Sequence, residues 1–107
     1  MIEIEQGSGN VYGDLGSPDA SEMLVKAQLV TKIGEIIKSR GWTQQEAAGV
    51  LGMTQPKLSK MLRGQFRGFS EAKMLECLTR LGRNVQIVVG PARHSRGAGR
   101  VEVVFTA

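Results

Sequence analysis

Four stretches of the chain repeat their apolar residues at helical spacing, and two stretches near its C-terminus alternate them with polar ones. Leu29, Ile33, Ile36 and Ile37 fall at i, i+4, i+7 and i+8, which places them on one stripe of a long helix. The segment Ser17-Pro18-Asp19-Ala20 opens it, because proline suits a first turn and either Ser17 or Asp19 can cap, the latter with Glu22 three residues on. Lys38 and Arg40 suit the negative end of the helix dipole, and Gly41 stops the helix. Ala47, Ala48 and Leu51 share one side of a second helix; Leu58, Met61 and Leu62 share one side of a third. Leu75, Leu78 and Leu81, with Met74 and Cys77 alongside, mark a fourth that runs from an N-cap at Ser70 to about Leu81. After Gly82 the period changes from 3.6 to 2. Val85, Ile87 and Val89 line one face of residues 84–89, as Val101, Val103 and Phe105 do in residues 100–105. Separated by the Gly- and Arg-rich GPARHSRGAG, these two runs predict a two-stranded hairpin. Such a hairpin is marginal alone. Its apolar face must cover the helices, and its edge must be blunted or pair with another chain.

The second and third helices lie in residues 43–64, TQQEAAGVLGMTQPKLSKMLRG, and are joined at a glycine. Thr43 is a good N-cap with Glu46 three residues on, a spacing that lets hydroxyl and carboxylate satisfy free N–H groups reciprocally, and Trp42 can staple against Ala47. The two alanines let another helix cross closely. Gly52 ends the second helix in the left-handed conformation that a tight turn requires. Thr54 then caps a third helix whose first turn tolerates Pro56. With Leu58, Met61 and Leu62 buried, the residues left outside are Gln55, Lys57, Ser59, Lys60 and Arg63, donors of the kind that read base edges or neutralise phosphates. From Thr54 to Phe69 every charged residue, Lys57, Lys60, Arg63 and Arg67, is positive. By pattern alone a charged outer face is equally a solvated face, and Arg67 is either a phosphate contact or an exposed arginine with no such role.

The run T-Q-x-E-x-A-x-x-x-G-x-x-Q-x-x-x-S-x-x-x-x-G resembles the helix-turn-helix of the Xre family of phage-repressor-like and Cro-like regulators. Thr43, Gln44, Glu46, Ala48, Gly52, Gln55, Ser59 and Gly64 fit it without a gap, over about twenty-two of the 107 residues. The resemblance implies that Gln44, at the start of the first motif helix beside Thr43, bonds a phosphate, and that Gln55 meets a base edge. Pro56 occupies a second position from which the family often reads bases. Proline has no donor, so readout there is apolar contact, for instance with a thymine methyl group, or it shifts to Gln55, Lys57 and Lys60. The expected architecture is mainly α: a four- to five-helix, repressor-like helix-turn-helix domain with a C-terminal two-stranded β-hairpin. In that reading residues 1–16 form an acidic arm, residues 17–82 the helical DNA-binding domain, and residues 83–107 the strands that join two chains. A two-fold dimer would set two recognition helices roughly 34 Å apart, one turn of DNA.

Length allows one domain with one modest core. Net charge is +4, and its distribution says more than the sum. The first 25 residues hold Glu3, Glu5, Asp14, Asp19 and Glu22 with no base, which leaves +9 on the remainder. A basic body points to nucleic acid, and the lack of a long apolar run disfavours a membrane. The acidic N-terminus is no secretory signal, Cys77 is the only cysteine and His94 the only histidine, so a cytoplasmic protein with no disulfide, metal or other cofactor is expected. Cys77 reads as a small core residue. No nucleophile, base and orienting acid, phosphate-cradling loop or carboxylate pair suggests an enzyme.

Residues 1–16 read as an extended arm or a short edge strand. Residues 10–16, NVYGDLG, resemble an N-terminal motif of the Xre subgroup close to HigA-type antitoxins; physically they read as a surface loop packed on the body. The segment with Arg93, His94, Arg96 and Arg100 either reaches phosphate or a minor groove or, as the favoured reading, is a loop kept soluble by charge. Two functions follow. The first is a homodimeric repressor of double-stranded DNA, with Gln55, Pro56, Lys57, Ser59 and Lys60 at base edges and Thr43, Gln44, Arg63 and Arg67 at phosphates. The alternative, which the HigA resemblance implies, is an antitoxin that masks a small basic RNA-cleaving toxin and represses its own operon.

Overall fold

The apolar stripe of the first helix forms and becomes the floor of the molecule. In the computed structural model, which describes residues 18–92 and 97–106, α1 spans Pro18–Ser39 and buries Leu29, Ile33, Ile36 and Ile37. Its first half is buried over a wider arc than one stripe, taking in Met23, Val25, Lys26, Gln28 and Val30. Three further helices follow among the described residues: α2, Gln44–Leu51, α3, Gln55–Leu62, and α4, Glu71–Arg80. The helix α1 packs on α3 and α4, and α2 packs on the same two. At Gly34 of α1 a methyl group would stand 3.6 Å from Leu62 Cδ2 of α3, ordinary van der Waals contact, so the two helices approach closely there.

Ile33, Leu51, Leu58, Met61, Met74, Cys77 and Leu81 are wholly buried, one or more from each helix or its cap. Burial pushes the Cys77 thiol up, partly offset by Lys73 and Arg80, and a thiol held protonated in this way suits a core residue. The corner after α1 is tied to the end of α4, because the Arg40 guanidinium donates to the Leu81 carbonyl and lies 5.0 Å from the centre of the Trp42 ring. Trp42 itself is half-buried against the core.

The C-terminal β-hairpin does not form. Residues 83–92 and 97–106 contain no strand, and among the described residues no backbone hydrogen bond joins the two segments. Alternation of apolar residues reports only that one face meets a core, whereas a ladder also needs a partner for its N–H and C=O groups. The second segment keeps a remnant of the alternation: Val103 and Phe105 are half-buried while Glu102 and Val104 face outward. Lys32 of α1 sits 4.8 Å over the Phe105 ring. The first segment covers little, leaving Ile87, Val88 and Val89 80 to 90% exposed. Between the segments and the apolar flank of Val25, Leu29, Leu75 and Leu78 lies an open cleft. The acidic arm, residues 10–16, Ser17, and Arg93, His94 and Arg96 lie outside the described residues.

Candidate nucleic-acid interface

The two helices of the motif are set by their caps. Thr43 Oγ1 accepts from the Glu46 N–H at 3.1 Å, and Glu46 Oε1 accepts from the Thr43 N–H at 2.8 Å, so the predicted reciprocal box is present. At the far end Gly52 takes φ 69° and ψ 34°, and the Met53 N–H returns to the Ala48 carbonyl at 3.1 Å. That left-handed residue turns the chain sharply enough for Thr54 to start α3 two residues later. Thr54 Oγ1 accepts from the Lys57 N–H at 3.3 Å, while Pro56 stands in the first turn, where the N–H it lacks has no acceptor within the helix.

With Leu58 and Met61 wholly buried and Leu62 half-buried, the outer surface of α3 carries Gln55, Pro56, Lys57 and Lys60, all exposed. Ser59, expected on the same face, is half-buried. Arg63 is exposed as the cap residue at the end of α3, and Gly64 then turns the chain with φ 94°. Thr43 and Gln44 are exposed at the start of α2, where unsatisfied N–H groups favour an anion. Gln45 and Glu46 are exposed beside them.

Charge is distributed unevenly over these surfaces. Elsewhere on the body cations meet acids: Lys26 with Glu22, Lys32 with Glu35, Lys73 and Arg80 with Glu76, and Arg100 with Glu102, at 2.8 to 3.6 Å. No ion pair among the described residues engages Lys57, Lys60 or Arg63. Their field therefore faces outward unneutralised. Arg100, grouped by sequence with the positive C-terminal loop, is committed to Glu102 at 2.8 Å.

Sequence reasoning missed two residues that hold this surface in place. Arg80 of α4 donates to the Val50 carbonyl beside the turn of the motif, at 3.4 Å. Lys26 of α1 is buried and donates to the Arg67 carbonyl at 3.1 Å. Lys26 is the lone charge in residues 23–30, and that isolation within an apolar run was the available signal.

The helix-turn-helix domain family matches residues 11–90 of this chain. A solved structure described as an XRE-family transcriptional regulator is similar over 83% of this chain and 100% of its own, with 34% identity and a TM-score of 0.76. The chain belongs to the Xre-like helix-turn-helix family. Among curated proteins none matches it. The family assignment agrees with the capped α2–turn–α3 unit, and it extends past the twenty-two residues of the motif to all four described helices. Among the described residues no helix of this Xre-like protein is long and apolar enough to cross a membrane.

Proposed function

We propose that this Xre-like protein, a DNA-binding transcriptional regulator, is a repressor that binds its operator as a homodimer with α3 in the major groove. In this reading Gln55, Pro56, Lys57, Ser59 and Lys60 face base edges, and Thr43, Gln44, Arg63 and Arg67 hold phosphates. The observation that carries it is the unneutralised cationic end of α3, with Lys57, Lys60 and Arg63 exposed and outside every ion pair among the described residues. Surface lysines with no partner to bind are normally interspersed with acids; here no acid falls between Thr54 and Phe69. Dimerisation is assigned to the C-terminal segments, whose Ile87, Val88, Val89, Val101 and Val104 are exposed on backbone that, past the Arg83 N–H bonded to the Leu78 carbonyl, makes no backbone–backbone hydrogen bond among the described residues. Selection from a random-sequence DNA pool at near-physiological salt, with the mass in solution measured alongside, tests it. A two-fold-symmetric motif with half-sites about one helical turn apart is expected. A monomer with only salt-sensitive general binding would sink the reading.

A second role, as antitoxin in a pair of the HigA type, is supported by the acid-only first 25 residues opposite a basic body, a charge arrangement suited to a small basic RNA-cleaving partner. A RelE-like gene beside this one, and its product co-purifying with the full chain, is the expected result. Absence of both leaves the free-standing repressor.

A further inference from the structure

The loop that follows α3 ends against a charge that the helical pattern hides. Lys26 lies on α1 with its side chain 5% exposed, and its ammonium meets Glu22 Oε2 at 3.0 Å and the Arg67 carbonyl at 3.1 Å. A lysine on a helix surface ordinarily carries its ammonium out to water along its aliphatic stem. This one turns into the body and ends on a main-chain oxygen 41 positions away in sequence. The loop it meets is held at two further points, since Phe66 is buried and the Phe69 N–H returns to the Phe66 carbonyl at 3.0 Å. The Arg67 side chain remains exposed.

We propose that Lys26 is a positioning residue for DNA binding: its buried ammonium fixes the backbone of Arg67, so that the guanidinium is presented to a phosphate from a loop already ordered. The proposal rests on the DNA-binding reading above. A loop whose backbone is ordered before binding need not be ordered at the interface, which raises affinity without adding a contact. Glu22 makes the clamp electrically balanced, so it adds little to the positive field of the α3 surface. Without the ammonium the Arg67 carbonyl must turn to water, and Gly68 beside it offers the backbone many alternatives.

The balanced clamp permits a test free of a change in net charge. The double substitution Glu22→Gln with Lys26→Met removes it while net charge stays the same. Two measurements are made on the full chain: the rate of tryptic cleavage after Arg67 in the native protein, followed by mass, and the affinity for a random-sequence duplex over a range of salt. The double variant is expected to be cut faster at Arg67 and to bind roughly fivefold more weakly, within the range by which residues off the contact surface modulate binding. In an Arg67→Ala background the same double substitution is expected to cost nothing further. Should it lower the melting point below assay temperature, Glu22→Gln with Lys26→Gln, which also leaves net charge unchanged, replaces it under the same expectations. Unchanged cleavage, or an equal loss of affinity with and without Arg67, overturns the proposal. If Arg67→Ala alone binds as wild type, the positioning role falls with that contact, whereas the DNA-binding reading falls only if wild type fails to bind. Cleavage needs no DNA, so the two failures are told apart.

Discussion

The guanidinium of Arg80 donates to the main-chain carbonyl of Val50 at 3.4 Å, laying the last turn of α4 along the end of α2, where the motif turns. Glu76 Oε2 holds the same guanidinium through Nε at 3.0 Å. The consequence appears at Gly52, where a methyl group would stand 2.6 Å from Arg80 Nη1. Two costs meet at one residue: a left-handed backbone and an occupied space.

Gly52→Ala is therefore expected to destabilise the protein by about 1–2 kcal/mol through backbone conformation. The guanidinium is the far end of a flexible side chain and can step aside, so the collision contributes little. Urea unfolding of Gly52→Ala with and without Arg80→Ala separates the two. Most of the loss should persist when Arg80 is absent; recovery of wild-type stability would make the collision the dominant cost.

The cap on α2 gives a second measurable quantity. Thr43→Ala removes the acceptor for the Glu46 N–H and should cost about 1 kcal/mol, while Thr43→Asp, which also caps well, should cost less. For a domain of this size a loss of that magnitude lowers the thermal midpoint by roughly 4–8 °C. Equal midpoints for the alanine variant and wild type would mean that the box is not formed in solution.

Such caps were legible because capping is local. Thr43, Thr54 and Ser70 each accept the N–H expected of them, and Gly52 adopts the expected turn, since a short window holds both donor and acceptor. The C-terminal hairpin was misread for the opposite reason. The period-2 runs at residues 84–89 and 100–105 specify which side chains can share a face, and Val103 and Phe105 do turn inward; pairing depends on which backbone meets which, and no local spacing encodes that. Lys26 escaped notice because a charged residue on a helix is read as a solvent-facing one. Its carbonyl partner lies 41 positions away, beyond any helical periodicity.

The exposed C-terminal apolar residues separate folding from assembly. Ile87 is 80% exposed, so Ile87→Lys should change the stability of the helical body by no more than about 0.5 kcal/mol. The same substitution places a charge in the proposed dimer contact and should convert a dimer to a monomer by light scattering. Affinity for a full operator should then fall while affinity for a single half-site is kept. A variant that stays dimeric would move the contact elsewhere.

The base reading and phosphate holding proposed for α3 are separable because Gln55 and Arg63 lie at opposite ends of it. Gln55, exposed in the first turn, has an amide that offers both donors and an acceptor, the pairing that distinguishes one base from another. Arg63, exposed at the last turn outside every ion pair among the described residues, offers charge to a phosphate that is the same in every sequence. Gln55→Ala is accordingly expected to relax preference at one operator position, at about 1–3 kcal/mol of discrimination, with the salt dependence unchanged. Arg63→Ala should weaken all sequences alike and flatten the slope of log affinity against log salt by about one, since one fewer phosphate is neutralised on binding. Both variants are read in one titration series on matched and mismatched operators. Should Gln55→Ala keep the full preference while Lys57→Ala or Lys60→Ala loses it, α3 would enter the groove through its middle, and the contact at its first turn would be to the backbone.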